Sequence, residues 1–159
     1  MTVYIDRIRA EIRRSISDEY SPHQIASSFA IGVFITMLPT LGTGLIVFAI
    51  ISYLSSWINK VALFASVLVL NPVVKWGVYA GSMALGILLL GPVPILDDGE
   101  VAVEAGQEVL VRLLVGNTIL AVIATVLGYV IVYRAAERYQ RSASEFFGTV
   151  IEELDEELS

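Results

Sequence analysis

The sequence contains no cysteine and only one histidine, His23, among its 159 residues. The absence of thiols excludes disulfide bonds, thiol catalysis and cysteine-ligated zinc, and a single histidine leaves a histidine-based metal site short of ligands. Charged residues are also scarce, at 16% of the chain, whereas average soluble domains carry roughly a quarter. We therefore expect no cofactor and no metal ion.

Apolar residues take the place of the missing charges, at 56% of the chain with a mean hydropathy of +0.75. A single soluble domain of ~160 residues cannot bury that much apolar surface. The composition therefore predicts an all-α protein of the plasma membrane, a polytopic helical bundle of about four spans.

Residues 1–20 contain no apolar run, so they do not match the h-region of a secretory signal. Isoleucines recur there at steps of three and four residues, on one face of a helix whose other faces carry arginines and acids: Ile5, Ile8, Ile12 and Ile16. This pattern predicts an amphipathic helix that either lies on the membrane surface or packs against the protein's own cytoplasmic side.

The first apolar block, residues 25–58, has no charged residue. Its length is too great for one span of ~20 residues and suits two short ones. The stretch from Pro39 to Gly44 is rich in turn-forming residues, which predicts a break there. We therefore predict a hairpin of two helices, over 23–39 and 42–58.

The second apolar block, residues 61–96, carries one charge, Lys75, and an Asn71-Pro72 step. A helix over 61–90 would be ~45 Å long, well beyond the ~30 Å hydrocarbon core. Because Pro72 also removes a backbone donor, we predict a half-helix over 61–70 followed by a helix over 73–90. Residues 61–70 either begin a kinked span or re-enter the membrane, and both alternatives stay open.

In the last third of the chain we predict a solvent-facing helical lead-in, the segment before the span, with a Glu108–Arg112 ion pair. A span over 113–133 follows it. An amphipathic cytoplasmic helix over 134–159 with an acidic end follows. Lys and Arg residues concentrate on the side of the two tails and the 59–60 turn, which predicts four crossings with both termini in the cytoplasm. The chain then divides into segments 1–20, 21–133 and 134–159.

Lys75 is the one charge inside an apolar segment, and an ammonium at that depth costs ~2.5–3.5 kcal/mol on insertion scales. Asn71, Lys75 and Tyr79 recur every four residues, so a helix places them on one face. With Thr36 they form a candidate site for a small solute, an anion or a lipid headgroup. The alternative is a lysine that reaches the interface or binds carbonyls freed by Pro72.

Interrupted apolar segments in corresponding positions are typical of transporter sites, where opened backbone faces a solute. The candidate broken-helix positions in the two blocks are Gly32, Pro39, Gly42 and Pro72, and the alternative is that the two prolines mark ordinary helix breaks. Small residues over 77–84 and 116–128 also predict smooth helix faces that pack between protomers of a homo-oligomer.

The pattern Ser21-Pro22, Ala30-Ile31-Gly32-Val33-Phe34, Pro39, Gly42 and Asn71-Pro72 resembles a prokaryotic membrane-domain family of unknown function. The resemblance covers residues 21–92, and Thr36 stands where the family pattern has a second glycine. It implies an integral membrane domain, found alone or joined to glycosyltransferase-like enzymes, and it supplies no catalytic residues.

Together these features predict an uncharacterised membrane protein, not an enzyme, with a permeation or binding site for a small solute, anion or lipid headgroup. The alternative is a non-transporting scaffold that recruits a cytoplasmic protein through residues 134–158. An acidic surface disfavours nucleic acid as a partner. Two lysines against eight arginines and a pI near 4.7 are also typical of proteins from salt-loving archaea.

Overall fold

The computed structural model describes residues 20–39, 43–93 and 101–158. The predicted amphipathic helix before Tyr20, the candidate position Gly42 and the acidic turn before residue 101 lie outside the described residues. Within the described part every element of secondary structure is a helix, which confirms the all-α prediction. Its five helices are α1 (Pro22–Met37), α2 (Gly44–Leu54), α3 (Lys60–Val69), α4 (Pro72–Leu90) and α5 (Val101–Leu158).

Polar N-caps start three of these helices at the positions where the sequence predicts breaks. At α1, Ser21 and Gln24 form a reciprocal capping box, with Pro22 in the first turn. The side-chain oxygens of Asn59 and Asn71 accept hydrogen bonds from the Ala62 and Val74 backbone amides at 2.9 and 3.1 Å. The boundaries of α1, α3 and α4 therefore agree closely with the prediction.

Helix α2 is shorter than the predicted 42–58 because the chain leaves the helix at Ser55. The backbone N–H of Asn59 donates a 2.9 Å hydrogen bond to the hydroxyl of Ser28, a fully buried side chain on α1. This bond ties the α2–α3 turn to α1, so residues 55–59 cannot continue α2.

Helix α5 replaces three predicted elements with one, since the lead-in, the span and the C-terminal helix are continuous. The last proline of the sequence is Pro94, so the interior of α5 has no residue that would force a break. At 58 residues, α5 is ~87 Å long. The predicted boundary at residue 133 therefore falls inside a helix.

Helix α5 is the centre of the fold, and α1 and α4 both pack antiparallel to it. Asn117 lies beside Met37, and Gly128 lies beside Phe29, so α1 and α5 run in opposite directions. Helix α3 runs parallel to α1, because Asn59 meets Ser28 at one end while Leu70, just after α3, packs on Met37 at the other.

Glycines allow the closest helix contacts. A Cβ atom on Gly116 would overlap the carbonyl group of Ser82, and one on Gly86 would lie 2.8 Å from the Cα of Arg112. Gly128 faces Phe29 in the same way, at 3.2 Å. The glycines of the small-residue face over 116–128 thus contact α1 and α4 of the same chain, and the homo-oligomer stays a prediction.

The predicted solvent-facing lead-in is also corrected at Arg112, whose side chain is 7% exposed. Its guanidinium forms the expected ion pair with Glu108 and donates to the carbonyl oxygens of Gly91 and Pro92 at 2.8 and 3.2 Å. Because these carbonyls follow the last turn of α4, Arg112 caps that helix instead of facing water.

The surface is larger than that of a soluble domain of the same mass and exposes many large apolar side chains. The accessible area is 11158 Å², against roughly 7,800 Å² for a globular protein of this mass. Many large apolar side chains are exposed, including Leu68 and Leu88 at 79% each. Two helices, α4 and α5, are long and apolar enough to cross a membrane, which supports membrane association.

Candidate functional site

The two predicted breaks meet beside the part of α5 that contains Asn117 and Ala121. Helix α1 ends at Met37 and α3 ends just before Leu70, and these two residues share one buried cluster with Val33 and Ala121. The side-chain amide of Asn117 donates a 3.0 Å hydrogen bond to the Met37 carbonyl oxygen. Pro39 and Pro72 therefore belong to chain breaks that lie at one level of the fold.

The four predicted ligand residues lie on two helices. Asn71 is exposed and caps α4, Lys75 and Tyr79 follow it on α4 and are half-buried, and Thr36 is buried in the last turn of α1. Within the described residues, no side-chain hydrogen bond joins any of the four to another, and the Lys75 ammonium has no ion pair. Their role in binding stays a prediction.

Of the predicted broken-helix positions, Pro39 follows the end of α1 and Pro72 is the first residue of α4. Gly32 lies inside α1, where it has a packing role. A Cβ atom there would lie 2.7 Å from the Leu63 carbonyl oxygen and would overlap the hydroxyl of Ser66. Gly32 thus permits close contact between α1 and α3.

A groove between α1 and α5 has no counterpart among the sequence predictions. This groove encloses a volume of about 440 Å³ and is open on one side, and its lining is almost wholly apolar. It is lined by Ser27, Ala30, Ile31, Phe34, Ile35, Thr125, Val126 and Tyr129. Its two walls are about ninety residues apart in sequence, so hydrophobic periodicity within either helix cannot reveal it.

A polar and aromatic cluster stands at one end of the groove. The Nδ1 atom of His23 and the hydroxyl of Tyr129, which lines the groove, form a 2.8 Å hydrogen bond. The ring of Trp57 contacts His23 edge to face at 5.9 Å, and Tyr133 stacks on Tyr129 at 5.9 Å. We call these four residues the rim cluster, and such rings are typical of a membrane–water interface.

Two basic residues lie close in sequence to residues at this end of the groove. Lys60 follows Asn59, whose backbone N–H bonds Ser28, the residue after the groove-lining Ser27, and Arg134 follows Tyr133. Both cations are exposed. The end of the groove therefore offers hydrogen-bonding groups, whereas its walls offer almost only apolar contact.

The C-terminal part of α5, from residue 140 onward, extends beyond the point where Tyr20, the first described residue, contacts it. The Gln140 amide donates a 3.2 Å hydrogen bond to the Tyr20 carbonyl oxygen, so α1 begins at this level. We call residues 140–158 the α5 extension. Exposed apolar side chains occur along and beside it, among them Phe146 at 66% and Leu154 at 44%.

Among residues 20–39, 43–93 and 101–158, no three acidic or histidine side chains come together in a way that could hold a metal ion. The buried Asn117 Oδ1 atom accepts no hydrogen bond from the described part of the chain. The candidate binding surfaces are therefore the groove with its rim cluster and the α5 extension.

A family model described as "Uncharacterized protein conserved in bacteria (DUF2062)" matches residues 6–145. The match supports the prediction of a domain of unknown function. A bacterial family gives no support to the archaeal source suggested by composition. No curated protein and no solved structure matches the chain.

Proposed function

The chain belongs to the bacterial family DUF2062, and from this premise we propose that it is an integral membrane protein that binds an anionic membrane lipid. One acyl chain occupies the groove between α1 and α5, and the headgroup lies at the rim cluster. Four crossings with both termini in the cytoplasm are part of the proposal. The role is binding, not catalysis.

The observation that carries the proposal is the groove itself, because its walls are apolar and its hydrogen-bonding groups lie at one end. Apolar walls formed by Ala30, Phe34 and Val126 favour a hydrocarbon chain. The bonded pair of His23 and Tyr129 offers donors and acceptors at one end only. This division matches an amphipathic ligand, and a volume of about 440 Å³ lies within the range of small-molecule sites.

The charge at this end favours an anionic headgroup. Lys60 and Arg134 are close in sequence to Trp57 and Tyr133 of the rim cluster, and the positive-inside rule assigns this level to the cytoplasmic leaflet. Anionic lipids give that leaflet a negative surface potential, and each nearby cation contributes about 1 kcal/mol of attraction. A phosphate-bearing lipid with net negative charge therefore suits the rim better than a zwitterionic one.

Trp57 provides a direct probe, since the chain has two tryptophans and Trp76→Phe leaves Trp57 alone in the rim cluster. The Trp76→Phe protein is reconstituted in phosphatidylcholine vesicles with a fixed fraction of phosphatidylglycerol or phosphatidylcholine brominated near the headgroup. We expect brominated phosphatidylglycerol to quench Trp57 fluorescence with about fivefold higher apparent affinity.

A groove-filling variant separates the groove from general contact with lipid. Val126→Phe adds a ring to the groove wall, and we expect it to abolish the preference for phosphatidylglycerol. Val73→Phe makes the same change on α4, where the side chain is 80% exposed, and should leave the preference intact. Equal quenching by the two lipids, or a preference unchanged by Val126→Phe, would refute the proposal.

Permeation would be a further step beyond lipid binding, in which the bound lipid or an anion moves across the bilayer. Lys75 and the breaks at Pro39 and Pro72 would then line the path. Lipid-scrambling and anion-flux measurements on proteoliposomes test this form, with Lys75→Met as the variant. Inactivity with all lipid headgroups and anions would refute permeation. Activity that is unchanged by Lys75→Met would show that Lys75 has no role in it.

The α5 extension favours a second candidate function, that of a membrane scaffold for a cytoplasmic protein. Its exposed Phe146 and Leu154 offer an apolar surface on a helix continuous with the predicted span. Crosslinking in cells from a photoreactive residue at position 146 tests this function. A product at the mass of the chain alone or of its dimer argues against a cytoplasmic partner.

A homo-oligomer also stays a proposal, through the outer face of α4. A Cβ atom on Gly77 would have open space around it to at least 4 Å, and Ala80 and Ala84 are exposed. Small residues at such spacing permit close contact between membrane helices. Mass measurement of the protein in lipid nanodiscs, with Ala84→Leu as the disrupting variant, tests it.

A further inference from the structure

We propose that the imidazole of His23 donates a hydrogen bond from Nε2–H to the phosphate group of the bound lipid. Tyr129 is the positioning residue, because its hydroxyl holds the imidazole in the form that can donate. This role rests on the lipid binding proposed above, and it names the chemical group of the lipid that the rim cluster recognises.

The ring of His23 uses one nitrogen to bind the protein and leaves the other free. Its Nδ1 atom and the hydroxyl of Tyr129 are hydrogen-bonded at 2.8 Å. Within residues 20–39, 43–93 and 101–158, no group hydrogen-bonds to Nε2, which lies on the other side of the ring. Because His23 is exposed, a group outside the protein can reach this atom.

The hydroxyl of Tyr129 determines which ring nitrogen carries the hydrogen. In the described part of the chain, Nδ1 of His23 is the one atom bonded to this hydroxyl, so donation to Nδ1 satisfies the phenol hydrogen. A neutral imidazole has one donor and one acceptor, and Nδ1 as the acceptor places the hydrogen on Nε2. A protonated imidazole donates from both nitrogens. Nε2 is therefore a donor in either charge state.

Aromatic rings hold the imidazole at the end of the groove. The rings of Trp57 and Tyr129 both contact it edge to face, with centroids 5.9 and 5.8 Å away. These contacts come from the turn after α2 and from α5, so two separate elements fix the position of His23. Tyr129 also lines the groove. A donor that is held in place in this way loses little conformational freedom when a ligand binds.

A phosphate group suits this donor better than the other parts of a lipid. Its oxygens are charged acceptors, and hydrogen bonds to charged acceptors are roughly twice as strong as neutral ones. Every phospholipid presents a phosphate at the level of an interfacial aromatic belt. His23 should therefore contribute equally to the binding of phosphatidylglycerol and of phosphatidylcholine, and the preference between the two lipids depends on headgroup charge.

Loss of the donor tests the role of His23. In the Trp76→Phe protein, purified in a detergent without phosphate, quenching of Trp57 by added brominated lipid measures affinity. We expect His23→Leu to weaken the binding of both phospholipids about tenfold, the effect of one hydrogen bond to a charged group. Binding of brominated diacylglycerol, which has the acyl chains but no phosphate, should stay nearly unchanged. His23→Gln supplies an amide N–H donor and should restore most of the affinity.

Tyr129→Phe tests the positioning role, since it removes the hydroxyl and keeps the ring that lines the groove. His23 is the one histidine of the chain, so nitrogen NMR of histidine-labelled protein reports this imidazole alone. In mildly alkaline buffer we expect the hydrogen on Nε2 in the wild type and both tautomers in the variant. The affinity of the variant for both phospholipids should fall about threefold. Tyr139→Phe is the matched control on α5, where the side chain is 75% exposed, and it should change neither property.

The outcomes separate this role from lipid binding itself. Unchanged affinity in His23→Leu overturns the role of His23 and leaves lipid binding in place. An equal loss for diacylglycerol shows that the side chain supports the groove instead of binding phosphate, which also overturns it. Displacement of brominated phosphatidylglycerol by inorganic phosphate would identify free phosphate, and not a lipid, as the ligand. No quenching of the Trp76→Phe protein by either phospholipid would refute lipid binding itself.

Discussion

The amide of Asn117 donates a 3.0 Å hydrogen bond to the carbonyl oxygen of Met37, a residue eighty positions earlier in the chain. Met37 is the last residue of α1, so its carbonyl has no acceptor role within the helix and is free to bond a neighbour. Because Leu70 packs in the same buried cluster as Met37, one side chain of α5 fixes the level at which both chain breaks occur. The level of Asn117 on α5 is therefore the level at which α1 and α3 end.

Gly116 should tolerate no side chain. Gly116→Ala places a Cβ against the Ser82 backbone carbonyl, which cannot move without displacing α4. We expect the free energy of unfolding to fall by about 2 kcal/mol, measured by denaturation in detergent micelles followed by circular dichroism. Gly77→Ala is the matched control on α4, because no atom lies within 4 Å of its Cβ position. That variant should be unchanged or more stable by up to about 1 kcal/mol.

Ser28 should be required to hold the α2–α3 turn. Ser28→Ala leaves the Asn59 N–H without its acceptor in a part-buried site, which should lower the free energy of unfolding by about 1–2 kcal/mol. Amide hydrogen exchange at Asn59 should also become faster. Ser144→Ala is the control, since that hydroxyl is exposed and bonds only its own helix at Arg141. Unchanged exchange at Asn59 in the Ser28 variant would contradict the assignment.

Arg112 should contribute more to stability than its ion-pair partner. Arg112→Met keeps most of the side-chain volume but removes the donors to Gly91 and Pro92, so we expect a loss of about 3 kcal/mol. Glu108 is half exposed, and Glu108→Gln should cost below about 1 kcal/mol. Both losses are measured by the same denaturation in micelles. Comparable losses in the two variants would indicate that the ion pair, and not the cap of α4, is the source of the stabilisation.

The helices themselves were predictable because their signals are local. Ser21-Pro22, Asn59 and Asn71-Pro72 start helices through side-chain caps that involve residues within one turn. The continuity of α5 was not apparent, since a change from apolar to amphipathic composition near residue 133 resembles a boundary although nothing in the backbone requires one.

The groove and the burial of Arg112 were not predictable because both depend on contacts between distant parts of the chain. Arg112 resembles a surface residue beside Glu108, and only the arrival of the end of α4 at Gly91 gives it buried acceptors. His23 likewise resembles an isolated residue at a helix entrance, whereas its partner Tyr129 lies 106 positions away. Lys75 was conspicuous by its charge alone, and its binding role stays a prediction.

The headgroup preference should depend on the two cations that are close in sequence to the rim cluster. Lys60→Gln combined with Arg134→Gln removes both charges, and we expect the phosphatidylglycerol preference of Trp57 quenching to fall from about fivefold to near one. The wild-type preference should also weaken as salt is raised from about 0.01 to 1 M, since the Debye length falls from about 30 to 3 Å. A preference insensitive to both changes would place headgroup recognition elsewhere.

The two ends of α5 should lie on opposite sides of the membrane. The helix is ~87 Å long without a break, nearly three times the ~30 Å hydrocarbon core, so a spanning α5 must leave the membrane at both ends. With no native cysteine, Glu104→Cys and Gly148→Cys each give a single labelling site. In intact cells an impermeant maleimide should label position 104 and not position 148, and permeabilised cells should label both. Labelling of both positions from outside would show that α5 does not span the membrane. Labelling of position 148 alone would show that α5 spans in the orientation opposite to the one derived from Lys and Arg, since a single helix carries both sites.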